Sequence, residues 1–241
     1  MSHTRAIDSI AATSALARMP GHWVLARAGK RVLRPGGVEL TDRLLQELKI
    51  CSEDTVIELA PGLGRTACSV IAHSPMSYLG VEREPALAGD LNTKFGSDTV
   101  RFVEGVAEDT GLPGETATVV LGEALLSMHS EARKKCIVEE AWRVLRRNGR
   151  YGIHELCVSP CGLDPAVRKK MEADLALAIH HGVRLLTVTE WRELMESAGF
   201  RVRIGINAPM RLLEPARILR DEGICGTMRF ATSVLSSPTT L

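Results

Sequence analysis

The segment Val56-Ile57-Glu58-Leu59-Ala60-Pro61-Gly62-Leu63-Gly64-Arg65-Thr66-Ala67 constrains this chain more than any other. Its short apolar, β-branched start reads as a buried strand. The strand ends on an acid, passes through a glycine turn and opens a helix. Glycines let a backbone come close to a ligand, and a helix N-terminus offers amides that have no partner within the helix. A second acid, Glu82, closes the next strand, 20 residues beyond Gly62. A carboxylate there can accept both hydroxyls of a ribose, because it has two oxygens and no donor of its own. The plain alternative is a tight strand-to-helix turn beside a solvated glutamate.

The alternation continues on both sides of this turn. A helix fits residues 39–50, with Leu40, Leu44, Leu45 and Leu48 on one face. Strands are predicted at 55–59, 77–82, 100–104, 118–121 and 151–156. Helices are predicted at 65–73, 85–95 and 130–146, the last stopped by Asn148-Gly149. Strands separated by helices form right-handed βαβ units in a mostly parallel, doubly wound α/β sheet, with ligands at the carboxyl ends of the strands. Residues 157–186 break the rhythm with a turn, Cys161-Gly162-Leu163-Asp164-Pro165, and a helix ending near His180-His181-Gly182. Thr187-Val188-Thr189-Glu190 fits a capping box, and Gly199 closes the helix that follows. Residues 200–204 alternate as a strand should, a helix is expected near 215–222, and 230–235 is a weak strand candidate.

Composition removes several classes. The chain has 241 residues, 45% hydrophobic and 24% charged, which is ordinary for a packed globular protein and not for a disordered one. Thirty basic and 29 acidic residues leave a net charge of +1, so no global field for gripping nucleic acid exists. No apolar run reaches the roughly 18 residues that a membrane-spanning helix needs. The first twenty or so residues lack the apolar stretch of a secretory signal, so a cytoplasmic location is expected. Six cysteines occur without a C-x-x-C pair, which predicts reduced, mostly buried thiols and no metal site.

Two cofactor classes compete for the glycine turn. Gly62-x-Gly64-x-x-Ala67 also satisfies the loose dinucleotide pattern, so an NAD(P)-dependent oxidoreductase is an alternative. Three features tilt against it. Glu58 would repel a pyrophosphate but suits a cationic ligand; Glu104-Gly105-Val106-Ala107-Glu108-Asp109 is a further acidic turn; and no Tyr-x-x-x-Lys pair is present.

Together these segments resemble the class I S-adenosylmethionine-dependent methyltransferases of the small-molecule type, over roughly residues 39–205. Glu58 to Gly64 is similar to the family's first motif, and Gly80-Val81-Glu82 to its second. Gly105 to Asp109 resembles the loop that cups the adenine, and Leu145 to Arg150 the turn before the fifth strand. The resemblance implies a seven-stranded Rossmann-like sheet and S-adenosyl-L-methionine as cofactor. It gives the methionine end to Glu58, Ala60, Gly62 and Gly64, the ribose to Glu82 with Arg83 beside it, and the adenine to Val106, Ala107 and Glu108. Ala60 replaces the usual first glycine. Val106 stands where the family often has an adenine-binding aspartate, which leaves a non-catalytic cofactor-binding protein as a further alternative.

Methyl transfer needs alignment and exclusion of water, and a base only where the acceptor must lose a proton. Candidates at the ends of strands four and five are Glu123, which is also a cofactor contact, His129 and His154. Their plain readings are a loop contact, a surface histidine and a core histidine. No Asn-Pro-Pro-Tyr motif for amino methylation of bases occurs, so the expected partner is a small, apolar metabolite or lipid-like molecule and not nucleic acid. The predicted organisation is an N-terminal lid segment at 1–38, a cofactor domain at 39–205 with a lid insertion at 157–186, and a C-terminal extension at 206–241.

Overall fold

The computed structural model describes residues 25, 36–203, 205–210 and 214–236. The expected lid segment 1–38 lies outside them, apart from Leu25 and residues 36–38. Helix α1 (Gly37–Leu48) starts at the pair Gly36-Gly37, both with positive φ, and buries Thr41, Leu45 and Leu48. Then follow β1 (Thr55–Leu59), α2 (Arg65–Ile71), β2 (Ser77–Glu82), α3 (Pro85–Phe95), β3 (Val100–Glu104) and β4 (Ala117–Glu123). A short 3₁₀ turn (Leu126–Met128) leads to α4 (Glu131–Val144), β5 (Leu145–His154), α5 (Pro165–Ile179), α6 (Val188–Ser197) and α7 (Pro215–Ser236).

The five strands lie in the order β3-β2-β1-β4-β5, and every pairing is parallel. The order reverses between β1 and β4, which opens a crevice at their carboxyl ends. Alternation along β1 sorts the core into two layers. Ile57 and Leu59 pack with Val120, Ile137, Val138 and Val144 on one face. Val56 packs with Leu45, Tyr78, Leu91 and Phe102 on the other. Burial on both faces is why these strands read as continuous apolar runs.

The doubly wound, mostly parallel sheet is as expected, and five of the implied seven strands lie among the described residues. Two local expectations are corrected. Residues 201–203 form no strand, and Ile204 lies outside the description. Phe200 instead packs edge-on against Trp142, ring centroids 4.9 Å apart. The weak strand at 230–235 is helical, part of α7. Ile218 and Phe230 are both buried in that helix and share a small cluster with Leu25. Arg217 and Arg220 of α7 pair with Glu39 of α1, and the Asp221 carboxylate accepts the Val38 amide at 3.1 Å.

Two smaller differences have local causes. Asn148-Gly149 does not stop a helix: α4 ends at Val144 and β5 begins at Leu145. Asn148, at φ 64°, sits where the register against β4 jumps, from Ala117 opposite Leu145 to Val119 opposite Arg150. The six cysteines are free but exposed, not buried. The capping box at α6 is present in both directions, Thr187 to Glu190 and back.

Candidate cofactor and substrate site

The glycine turn lies at the carboxyl end of β1. Ala60, Gly62 and Gly64 all have positive φ, at 55°, 55° and 73°. Ala60 therefore occupies a left-handed conformation that favours glycine, which is the residue the resembled family carries there. A Cβ on Gly64 would stand 2.4 Å from Leu91 Cδ2, so this glycine lets α2 close onto α3. A Cβ on Gly62 would meet nothing within 4 Å, so the turn is open on that side to a ligand.

Glu82 is buried and spans this turn. One carboxylate oxygen accepts the Gly62 amide at 3.0 Å, the other the Glu84 amide at 3.1 Å. Burial pushes its carboxyl up, and the amides of Glu84, Gly62 and Arg83 pull the other way. Each oxygen keeps a second lone pair, which fits a ligand diol. Glu58 is buried beside it and accepts the Tyr78 hydroxyl at 2.6 Å. Burial and the neighbouring Glu58 push that hydroxyl well up.

A second cluster stands where β4 and β5 end. The Glu123 carboxylate accepts Thr41 Oγ1 at 2.7 Å and Thr66 Oγ1, and lies 2.7 Å from His154 Nδ1. Thr41, Thr66 and His154 are all buried. Nε2 of His154 lies beside Gly36, where a Cβ would come within 3.0 Å of it. His129 is not part of this cluster. It follows the 3₁₀ turn, near the Glu108–Arg133 ion pair and Arg83. Burial, then Arg133, holds its imidazole below the ordinary range, so it is neutral at physiological pH.

Residues 57–153 match the family described as a methyltransferase domain. That match is to part of the chain, and it agrees with the resemblance of the glycine turn to the class I, S-adenosylmethionine-dependent methyltransferases. An uncharacterized protein of Haemophilus influenzae is 29% identical over 221 residues, 90% of this chain and 86% of that one. The 27-O-demethylrifamycin SV methyltransferase of Amycolatopsis mediterranei is 26% identical over 172 residues, 69% of this chain and 61% of its own length. The 1,6-didemethyltoxoflavin-N1-methyltransferase of Burkholderia thailandensis, solved with 1,6-didemethyltoxoflavin and S-adenosylhomocysteine, superimposes with a TM-score of 0.55 at 18% identity. That match covers 71% of this chain and 70% of that one.

The remaining predicted cofactor contacts have mixed surroundings. Ala107 is buried in the core, and Val106 bridges to Asp109 across the turn after β3. Glu108 is held by Arg133. Arg83 is exposed, 3.7 Å from Glu84. The loop that continues from this turn is tied to α4, because Glu140 accepts the Thr110 amide at 2.8 Å and pairs with Arg143 at 2.6 Å. Burial opposes ionisation of Glu140, but Arg143 and Thr110 outweigh it and lower its carboxyl to about 2. A lowered pKa adds stability above the ordinary carboxylate range, and that stability is lost as the pH falls towards about 2. Between pH 7 and pH 3 the wild type should lose about 2 kcal/mol more stability than Glu140→Gln. Urea titrations at the two pH values test this; equal losses would remove the Glu140 contribution.

Three residues of the site were not expected from the sequence: Thr41, Thr66 and Tyr78. Thr66 sits inside the quoted motif, and Thr41 is a polar residue beside the apolar face of α1, so each left a faint signal. Glu155 follows His154 directly after β5. It binds the amides of Leu125, Leu126 and Ser127 and the Ser127 hydroxyl, which fastens the turn after β4. No His, Cys, Asp and Glu group among the described residues is arranged to hold a metal. No helix among them is long and apolar enough to cross a membrane.

Proposed function

We propose that the chain is an enzyme that transfers a methyl group from S-adenosyl-L-methionine to a small, apolar metabolite or lipid-like molecule. The observation that carries this reading is Glu82. It is buried at the end of β2, braces Gly62 of the open glycine turn, and keeps a lone pair on each oxygen for a ribose. Glu58, fixed by Tyr78, would face the methionine ammonium, and the turn at 105–109 would flank the adenine. The bound cofactor supplies an already electrophilic methyl group, so alignment dominates catalysis.

Glu123 and His154 are the acid–base pair of this proposal. With Nδ1 held by the Glu123 carboxylate, Nε2 of His154 is the nitrogen left to take a proton from an acceptor hydroxyl or amine. His129, kept neutral by burial, is a second contact on the β3–β4 side. Relatives named for rifamycin and toxoflavin acceptors support the small-molecule reading.

Titration calorimetry with S-adenosylhomocysteine and, in parallel, with NAD tests the cofactor assignment. The first should bind and the second should not. Binding of NAD alone would return the glycine turn to an oxidoreductase. Transfer of a labelled methyl group into an organic-soluble fraction of a cell extract separates an enzyme from a non-catalytic binder.

A further inference from the structure

One cavity lies away from the glycine turn. It is a slot of about 2070 Å³ along the edge of β5 that no strand among the described residues covers. β5 is ten residues long and pairs only with β4 among the described residues. His154 gives its carbonyl to the Ala124 amide on the β4 side. Backbone groups alternate along a strand, so those of Tyr151 and Ile153 face the free edge. Long unpaired edges are normally covered, because they template pairing with another chain.

Apolar walls flank this edge. Leu44 and Leu48 of α1 form one, and Trp142, Met195 and Phe200 form the other. That is the space of one more strand between two helical layers. Residues 205–210 run along the slot, where Met210 accepts the Gly36 amide, but they form no strand with β5. Two polar atoms at the slot are buried without a hydrogen-bond partner, Tyr151 Oη and Arg150 Nε.

The rim decides what fits. Nine basic side chains line the slot against three acidic ones. Arg150 and Arg143 are neutralised by Asp54 and Glu140. Arg147, Arg201 and Arg203 are exposed and, among the described residues, have no acidic side chain in ion-pair range. Two copies of this chain pairing edge to edge would bring these arginines together, which like-charge repulsion opposes. We propose that the β5 slot docks an extended, acidic segment of a partner protein, which joins the sheet as an added strand. Main-chain bonds to Tyr151 and Ile153 would hold it, alternate apolar side chains would fill the walls, and carboxylates would meet the arginine rim. This proposal does not depend on the cofactor reading and is tested without any cofactor.

The probe is a fluorescein-labelled peptide of five Val-Glu repeats, with the Val-Lys counterpart as control. Anisotropy titrations of the full chain should show the acidic peptide binding at least about tenfold more tightly, with the advantage shrinking at about 0.5 M salt. Hydrogen exchange at the Tyr151 and Ile153 amides should slow by about tenfold or more when the acidic peptide saturates. The exposed triple variant Arg147→Glu, Arg201→Glu, Arg203→Glu should reverse the peptide preference while its circular dichroism is unchanged. Equal affinity for both peptides, or exchange at Tyr151 and Ile153 that binding does not alter, would overturn the proposal. So would amides already protected in the free monomer, which would mean that the chain fills its own slot. Protection that rises with protein concentration alongside a dimer in sedimentation would assign the slot to a second copy.

Discussion

Replacing Glu155 by alanine should lower stability by about 2–4 kcal/mol. The side chain does not reach the proposed cofactor; it accepts three successive backbone amides and one hydroxyl at 2.7–2.9 Å. These are the amides that open the 3₁₀ turn, and among the described residues Glu155 is the acceptor they meet. Truncation leaves these donors without an acceptor beside an apolar core. Burial also pushes the Glu155 carboxyl up, against the pull of Ser127, Leu126 and Leu125. Glutamine keeps one acceptor but turns a donor towards a donor, so Glu155→Gln should recover only part of the loss. For a chain of this size the alanine variant should melt roughly 5–15 °C lower. A melting point within about 2 °C of wild type would show that water replaces the carboxylate and that the turn is not held this way. The Ser127 hydroxyl also accepts the Leu156 amide at 3.0 Å. Loss of Glu155 should therefore loosen the ends of β4 and β5 together.

Glu82→Ala should weaken S-adenosylhomocysteine binding by about 1–3 kcal/mol, roughly 5- to 150-fold. Two causes act together. On the proposed function the ribose would lose its acceptor, and the Gly62 and Glu84 amides lose theirs, so the open turn is no longer braced. Glu82→Gln separates them, because an amide oxygen can still accept from Gly62 while the ribose loses one acceptor. Calorimetry beside a far-ultraviolet spectrum is the measurement. Unchanged affinity in a folded Glu82→Ala variant would take Glu82 out of the site.

Most of the sheet was legible because its signals are local. The run 55–59 and the acid-ended run 77–82 coincide with β1 and β2 residue for residue. The Thr187-x-x-Glu190 capping box and the proline-started helix at 85–95 were equally plain. β5 was only half read: its first residues, Leu145-Arg146-Arg147-Asn148-Gly149, carry helix-end chemistry and join the strand because Leu145 pairs with Ala117 and Arg150 with Val119 on either side of the register shift. Of the site, the turn and the two acids were visible, because strand, turn and helix are contiguous there.

The sequence by itself determined the alternation of strands and helices, the glycine turn, and the acids that end β1 and β2, since each rests on periodicity or on neighbours a few residues apart. Only the tertiary structure decided that Glu123 meets Thr41, Thr66 and His154, which lie 82, 57 and 31 residues away along the chain. It also decided that His129 stands apart, and that 215–236 packs as a helix against α1 and, among the described residues, adds no strand to the edge of β5. Ile218 and Phe230 fit a helix or a strand equally well by local pattern. What they bury against selects between the two, and that is set by contacts between residues far apart in the chain.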